Sequence, residues 1–276
     1  MSLNLKHFAI IGSIAFFLIA CGGNKDEIVD ASDDGELFSG LDSQKISAQN
    51  VFNTIPSRAD ILAIALEAKS EYNVEYLNNP NEVSEYALEN SRALNLGVYG
   101  ADLNVASIYN QTQESMLFFK CVSILAKAIG VADSFDENMG DRMTSNQSNR
   151  DSTLSIITQA FKSADNTLRK NDRPGVSSLL VAGAWIEGMY VACKTANDTK
   201  NEHIIQEIYK QNESLDNLIE LLKSSKLHED ATYVISDLQS IKTTINSNTN
   251  RTYTVEALAS LDAKISALRT KIISTK

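Results

Sequence analysis

From Ile46 onward, apolar residues recur three and four positions apart, the spacing that lines one face of a helix, rather than in the alternation of a strand. Ile55-Pro56-Ser57 reads as a turn and N-cap ahead of a helix over about 58–72. Asn79-Pro80 opens the next, since proline is tolerated at the first helical position, and that helix runs to about Asn110, bent near Gly97 and Gly100. A strongly apolar helix over 111–130 ends on Gly130 as C-cap. The polar stretch 133–150 predicts a loop with a short helix. Asp151 or Ser152 caps a helix that reaches Lys170, and Pro174-Gly175 opens another that reaches about Asn197. Three more follow, at roughly 200–224, 229–246 and 254–274. The last two carry the seam of helices lying side by side: Val234, Leu238, Ile241 and Ile245, then Leu258, Leu261, Ile265, Leu268 and Ile272. The pattern predicts an all-α fold: one bundle-like domain of about eight helices over 46–276. Within it, 46–198 would be the core and 199–276 the C-terminal helices. These end in a helical hairpin with an exposed outer face.

The first forty-five residues are of another kind. Lys6 and His7 precede an apolar run over 8–20, whose thirteen residues span roughly 20 Å as a helix against a hydrocarbon core of ~30 Å. That is a signal-peptide core rather than a spanning helix. It ends in Leu18-Ile19-Ala20-Cys21-Gly22, which resembles a bacterial lipobox, so residues 1–20 read as a lipoprotein signal peptide and Cys21 as the lipidated first residue. Two or three acyl chains there would hold the chain to a membrane, where one alone is marginal. No later segment is expected to cross it. Residues 21–45 hold seven carboxylates against two lysines, and such a composition predicts a flexible acidic tether. Within it, Asp30-x-Ser32-x-Asp34-Gly35 begins like a calcium loop, but Leu41 stands where the bidentate glutamate belongs, so no metal is expected.

Composition sharpens this picture at two points. Twelve glycines and three prolines in 276 residues are too few for the turns of a many-stranded barrel or sandwich. A formal charge of −10 excludes a nucleic-acid binder, which needs a basic face. Nearly half of that acidity belongs to the tether. From Ile46 onward there are 22 basic and 28 acidic residues.

Candidate chemistry is sparse. After Cys21, only Cys121 and Cys193 remain, both in apolar helices, either pairable or free. His203 and His228 stand at no ligand spacing, and no nucleophile elbow, phosphate loop or dinucleotide fingerprint occurs. No cofactor and no catalytic residue are predicted, and the chain reads as a non-enzyme. Two stripes of small residues, Ala93, Gly97, Ala101 and Ala184, Gly188, Ala192, predict close helix packing. Beside them, Asn95, Tyr99, Asp102, Tyr109 and Gln113 share one face, and Trp185, Glu187 and Tyr190 cluster in the other helix. A carboxylate among apolar residues needs a partner: a tyrosine hydroxyl, a helix end, or an arginine such as Arg92 or Arg150. Tyr99, Asp102, Tyr109, Trp185, Glu187 and Tyr190 are accordingly the candidate residues for binding a ligand or partner. Arg169, Lys170 and Arg173 read as complementing a helix end, with an anion site as the alternative. Asp151-Ser152-Thr153 reads as a helix cap, and it also resembles the O-glycosylation triplet of the Bacteroidota.

The lipobox at Cys21, the tether residues Lys25-Asp26-Glu27, Leu96-Gly97-Val98-Tyr99-Gly100-Ala101-Asp102 and Trp185-Ile186-Glu187-Gly188 together resemble an uncharacterised family of helical Bacteroidota lipoproteins. Lys25-Asp26-Glu27 is similar to the signal that sends such lipoproteins to the cell surface. The resemblance implies an outer-membrane lipid anchor on a helical body, facing the surface or the periplasm, and brings no catalytic residues. The functional expectation is a non-catalytic binding or accessory subunit of an envelope protein assembly, docking a protein partner chiefly through the C-terminal hairpin. The alternative is a small-molecule or glycan binder with an aromatic-polar pocket between the central helices.

Overall fold

The structure, a computed structural model, describes Leu66 and residues 69–276. The signal peptide, Cys21, the tether and most of the helix expected at 58–72 lie outside the described residues; Tyr72, at its end, is not helical.

Among the described residues there are nine α-helices and no strand. They are α1 Glu89–Ile108, α2 Thr112–Ala128, α3 Glu137–Ser145, α4 Arg150–Lys170, α5 Pro174–Thr199, α6 Glu202–Tyr209, α7 Asn212–Ser224, α8 Tyr233–Ser247 and α9 Val255–Ser274. The boundaries depart from expectation where local bonding competes with the helical ladder. Pro80 opens only a 3-10 turn, Pro80–Glu85. The chain then extends through Tyr86, whose carbonyl takes Arg92 Nε at 2.8 Å, before α1 begins. The helix expected over 200–224 breaks into α6 and α7 at Gln211, whose N–H turns to the Ile208 carbonyl while its side-chain amide takes that of Glu207. The cap of α4 is Asn149, which accepts from Ser152 N at 3.0 Å, and not Asp151 or Ser152. Gly130, at φ +79°, ends α2 as predicted.

Helices α1 and α5 form the centre, with α2, α4, α6, α7 and α9 arranged around them. A Cβ on Gly97 would stand 2.5 Å from Ala184 N, and one on Gly183 would stand 2.8 Å from the Leu94 carbonyl carbon. The two backbones therefore touch, which only glycine allows. The α5 partner at this crossing is Gly183, five residues before the Gly188 of the predicted stripe. By length and composition α5 is apolar enough to cross a membrane, which the sequence reading denied to every later segment; but 89% of its apolar window is buried inside the protein, as in a core helix.

All nine seam residues of α8 and α9 are buried. Helix α9 is less a hairpin arm than a wall of the core: it lies chiefly against α5 and also meets α8, α1 and α6. Lys194 of α5 reaches Asp262 of α9 at 3.0 Å, and Asn197 joins it at 2.8 Å.

Candidate functional site

The four-residue step from Val98 to Asp102 aims the Asp102 carboxyl inward from α1, and Glu187 is aimed inward from α5. Both residues are 0% exposed. Their partner comes from α9. Arg269 donates from Nε to Glu187 Oε2 at 2.7 Å and from Nη2 to Oε1 at 2.8 Å, a two-point guanidinium–carboxylate pair. Arg269 Nη2 also donates to the Tyr76 carbonyl at 3.3 Å, and the Tyr190 ring lies 4.2 Å from the guanidinium carbon. Asp102 Oδ2 accepts the backbone N–H of Asn78 at 3.0 Å. The network thus ties α1, α5, α9 and the segment 76–78 into one buried knot.

Asp102 Oδ1 is buried and has no hydrogen-bond partner. Burial first, then the neighbouring charge of Glu187, raise the Asp102 carboxyl well above the usual carboxylate range, against the opposing pull of Arg269 and the Asn78 N–H. That direction favours a neutral Asp102, which leaves one arginine facing one negative charge across the pair. Burial alone would lower Arg269, but the charge and hydrogen bonds of Glu187 outweigh it and hold the guanidinium charged.

The other expected residues go elsewhere. Tyr99 is buried against Tyr86 and Phe118 and donates to the Asn79 carbonyl at 2.7 Å. Trp185 faces away from the knot and donates from Nε1 to Ser214 Oγ of α7 at 3.0 Å. Tyr109, at the end of α1, bonds Ser70 and packs on Tyr72 with ring centroids 5.8 Å apart. Burial, then Glu114 and Asp102, push the Tyr72 hydroxyl up to about 12. The structure therefore brings together Asp102, Glu187 and Tyr190, and disperses Tyr99, Tyr109 and Trp185. Two clefts, of about 30 and 510 Å³, lie by Ser107, Met116 and Met143 and by Ser70, Tyr72 and Asp198; none of the six candidates lines either.

Arg269 is the residue that sequence reasoning missed, with Arg92 and Arg150 named in its place. Its signal was present. Arg269 follows Leu268 inside the buried seam of α9, eight residues beyond Leu261 and four after Ile265, where a cation needs a buried partner.

The basic cluster before α5 is also engaged. Arg169 turns inward to Asp165 at 2.8 Å, and Ser177 of α5 donates to the same oxygen. Arg173 donates to the Ile129 carbonyl at 2.7 Å and pairs with Glu89 at 2.5 Å, so it closes the end of α2 rather than that of α4, the helix before it. Cys121 and Cys193 are buried and free; burial pushes the Cys121 thiol up to about 11, and Cys193 higher still. Among the described residues no group of histidine, cysteine and carboxylates could hold a metal ion.

No protein-family model matches the chain, and neither a curated protein nor a solved structure matches it.

Proposed function

We propose that the chain is an outer-membrane lipoprotein, anchored through Cys21, whose helical body serves as a non-catalytic binding or accessory subunit of an envelope protein assembly. The observation that carries the anchor is the order cationic start, short apolar run, Ala20-Cys21-Gly22. What supports a binding role over chemistry is the fate of the polar core. Glu187 pairs with Arg269 and Asp102 takes the Asn78 N–H inside the protein, and the work these groups do is to hold helices together. The alternative, a small-molecule or glycan binder, draws no support from that region, where α1 and α5 meet backbone to backbone.

Docking through the C-terminal hairpin would use a polar and small-residue face. Its outer face presents Ser236, Gln239, Thr243, Ala259 and Ala263, while the exposed large apolar side chains among the described residues are Val74, Leu88, Met116, Leu117 and Ile124. Three of those five are on α2.

Cross-linking of intact cells, followed by purification in detergent, tests the assembly. A reproducible envelope protein joined to this chain is the expected result, and recovery of the chain alone refutes the reading. Loss of acylation on Cys21→Ser, with release into the soluble fraction, checks the anchor separately.

A further inference from the structure

The exposed face of α2 is unlike the rest of the surface. Met116, Leu117 and Ile124 are 39%, 52% and 38% exposed, and Lys120 and Lys127 stand among them. At a helical step of ~100° per residue, Leu117, Lys120, Ile124 and Lys127 fall on one strip, with Met116 at its edge. The strip has no acid; Glu114, the one acid of α2, is half-buried. In a body with more acids than bases, a face that alternates large apolar groups with lysines is a local reversal of sign. Lysine stems cover apolar surface while their heads reach outward to anionic groups, the arrangement of helices that lie in a membrane interface.

The described segment begins beside the first turn of this helix: Ser70 bonds Tyr109, Tyr72 packs on the same ring, and α2 starts three residues after Tyr109. Ser70 and Tyr72, among the described residues nearest in sequence to Cys21, therefore stand at the end of the molecule where α2 begins.

We propose that the strip Met116, Leu117, Lys120, Ile124 and Lys127 rests on the anionic lipid surface to which Cys21 is anchored, setting which face of the body points away from the membrane. The proposal rests on the anchor reading. The strip is too small to hold a free protein on a membrane; it acts on a body already confined there, where effective concentration replaces intrinsic affinity.

The test uses the acylated full-length protein, purified with its anchor and reconstituted in vesicles of phosphatidylethanolamine with phosphatidylglycerol. An environment-sensitive fluorophore is placed on Ile124→Cys, or on Thr243→Cys of α8 as the control. Cys121 and Cys193, buried with raised thiols, stay unlabelled. Nitroxide-bearing lipids are expected to quench the α2 probe severalfold more than the α8 probe. Substituting phosphatidylcholine, or adding Lys120→Glu with Lys127→Glu, is expected to erase the difference with helicity unchanged. Equal quenching at both sites overturns the proposal. So does an α2 probe shielded from lipid by a second copy of the chain or by a protein partner. Flotation with the vesicles separates the two failures: a chain that does not float refutes the anchor, whereas one that floats unquenched refutes only the resting face.

Discussion

Replacing Glu187 by glutamine and Asp102 by asparagine should give very unequal results, although both are fully buried carboxyls of one network. Glu187→Gln keeps the shape but leaves Arg269, whose side chain is 8% exposed, without its counter-charge. Removing one partner from a buried ion pair costs about 3–5 kcal/mol. The Tyr76 carbonyl at 3.3 Å and the Tyr190 ring remain, which places the loss near the lower end, about 3 kcal/mol. For a domain of roughly 200 residues that lowers Tm by about 6–12 °C. Asp102→Asn replaces a carboxyl pushed toward its neutral form by a neutral amide of the same shape, which can still accept the Asn78 N–H, and should cost about 1 kcal/mol or less near neutral pH.

The two variants also separate by pH. The Asp102 carboxyl is raised on folding, so its favourable contribution is complete below the ordinary carboxylate range. That contribution is lost as pH rises through the raised value. Wild-type stability should therefore fall across that window relative to Asp102→Asn, which has nothing there to titrate. Urea unfolding followed by circular dichroism at several pH values measures both effects. Equal damage from the two substitutions at neutral pH, or parallel pH profiles, would show that Asp102 is an ordinary buried carboxylate, and the neutral-carboxyl account would be wrong.

Other consequences are simpler to read. Gly97→Ala and Gly183→Ala each drive a methyl into the facing backbone, which cannot yield as a side chain would, and should cost about 3 kcal/mol or more in chemical denaturation; a change below about 1 kcal/mol would mean the helices can part at no cost. Cys121 and Cys193 should resist thiol reagents in the native protein near pH 8 and react together once it is unfolded, as counted by mass spectrometry. Trp185, the single tryptophan, should emit as a buried indole, and Trp185→Phe should lose its bond to Ser214, about 1 kcal/mol. Asn149→Ala should cost about 1 kcal/mol by removing the cap of α4, whereas Asp151→Ala should cost less.

What could be read in the sequence was what depends on neighbours a few positions apart. The nine seam residues of α8 and α9, Gly130 as a helix terminator and the short α3 all follow from spacing or from one local conformation. The choice of Gly183 over Gly188 did not, because it depends on where two helices cross, and only Gly188 has small residues four positions to either side. Arg269 went unnoticed for a related reason. It lies 82 residues from Glu187, and a three- and four-residue pattern measures only distance along one helix. Asp102 and Glu187 were legible as a pair needing compensation, since burial and charge are local properties, but the compensator was a matter of topology. Tyr99 and Trp185 looked like pocket residues because aromatic groups with a polar tip suit a pocket and a core equally; a carbonyl at Asn79 and a hydroxyl at Ser214 decided for the core.

The buried knot also sets a schedule for the chain. Tyr76 and Arg269, which meet there, are separated by 193 positions, and the carbonyl of Ile273 and the ammonium of Lys276 bond Tyr86 and Glu82 nearby. Until its final helix has been synthesised, the protein holds two carboxyls in its central helices with no cation to match them. A nearly finished chain is therefore denied its native core, and loop-closure entropy across most of the domain stands between it and the folded state.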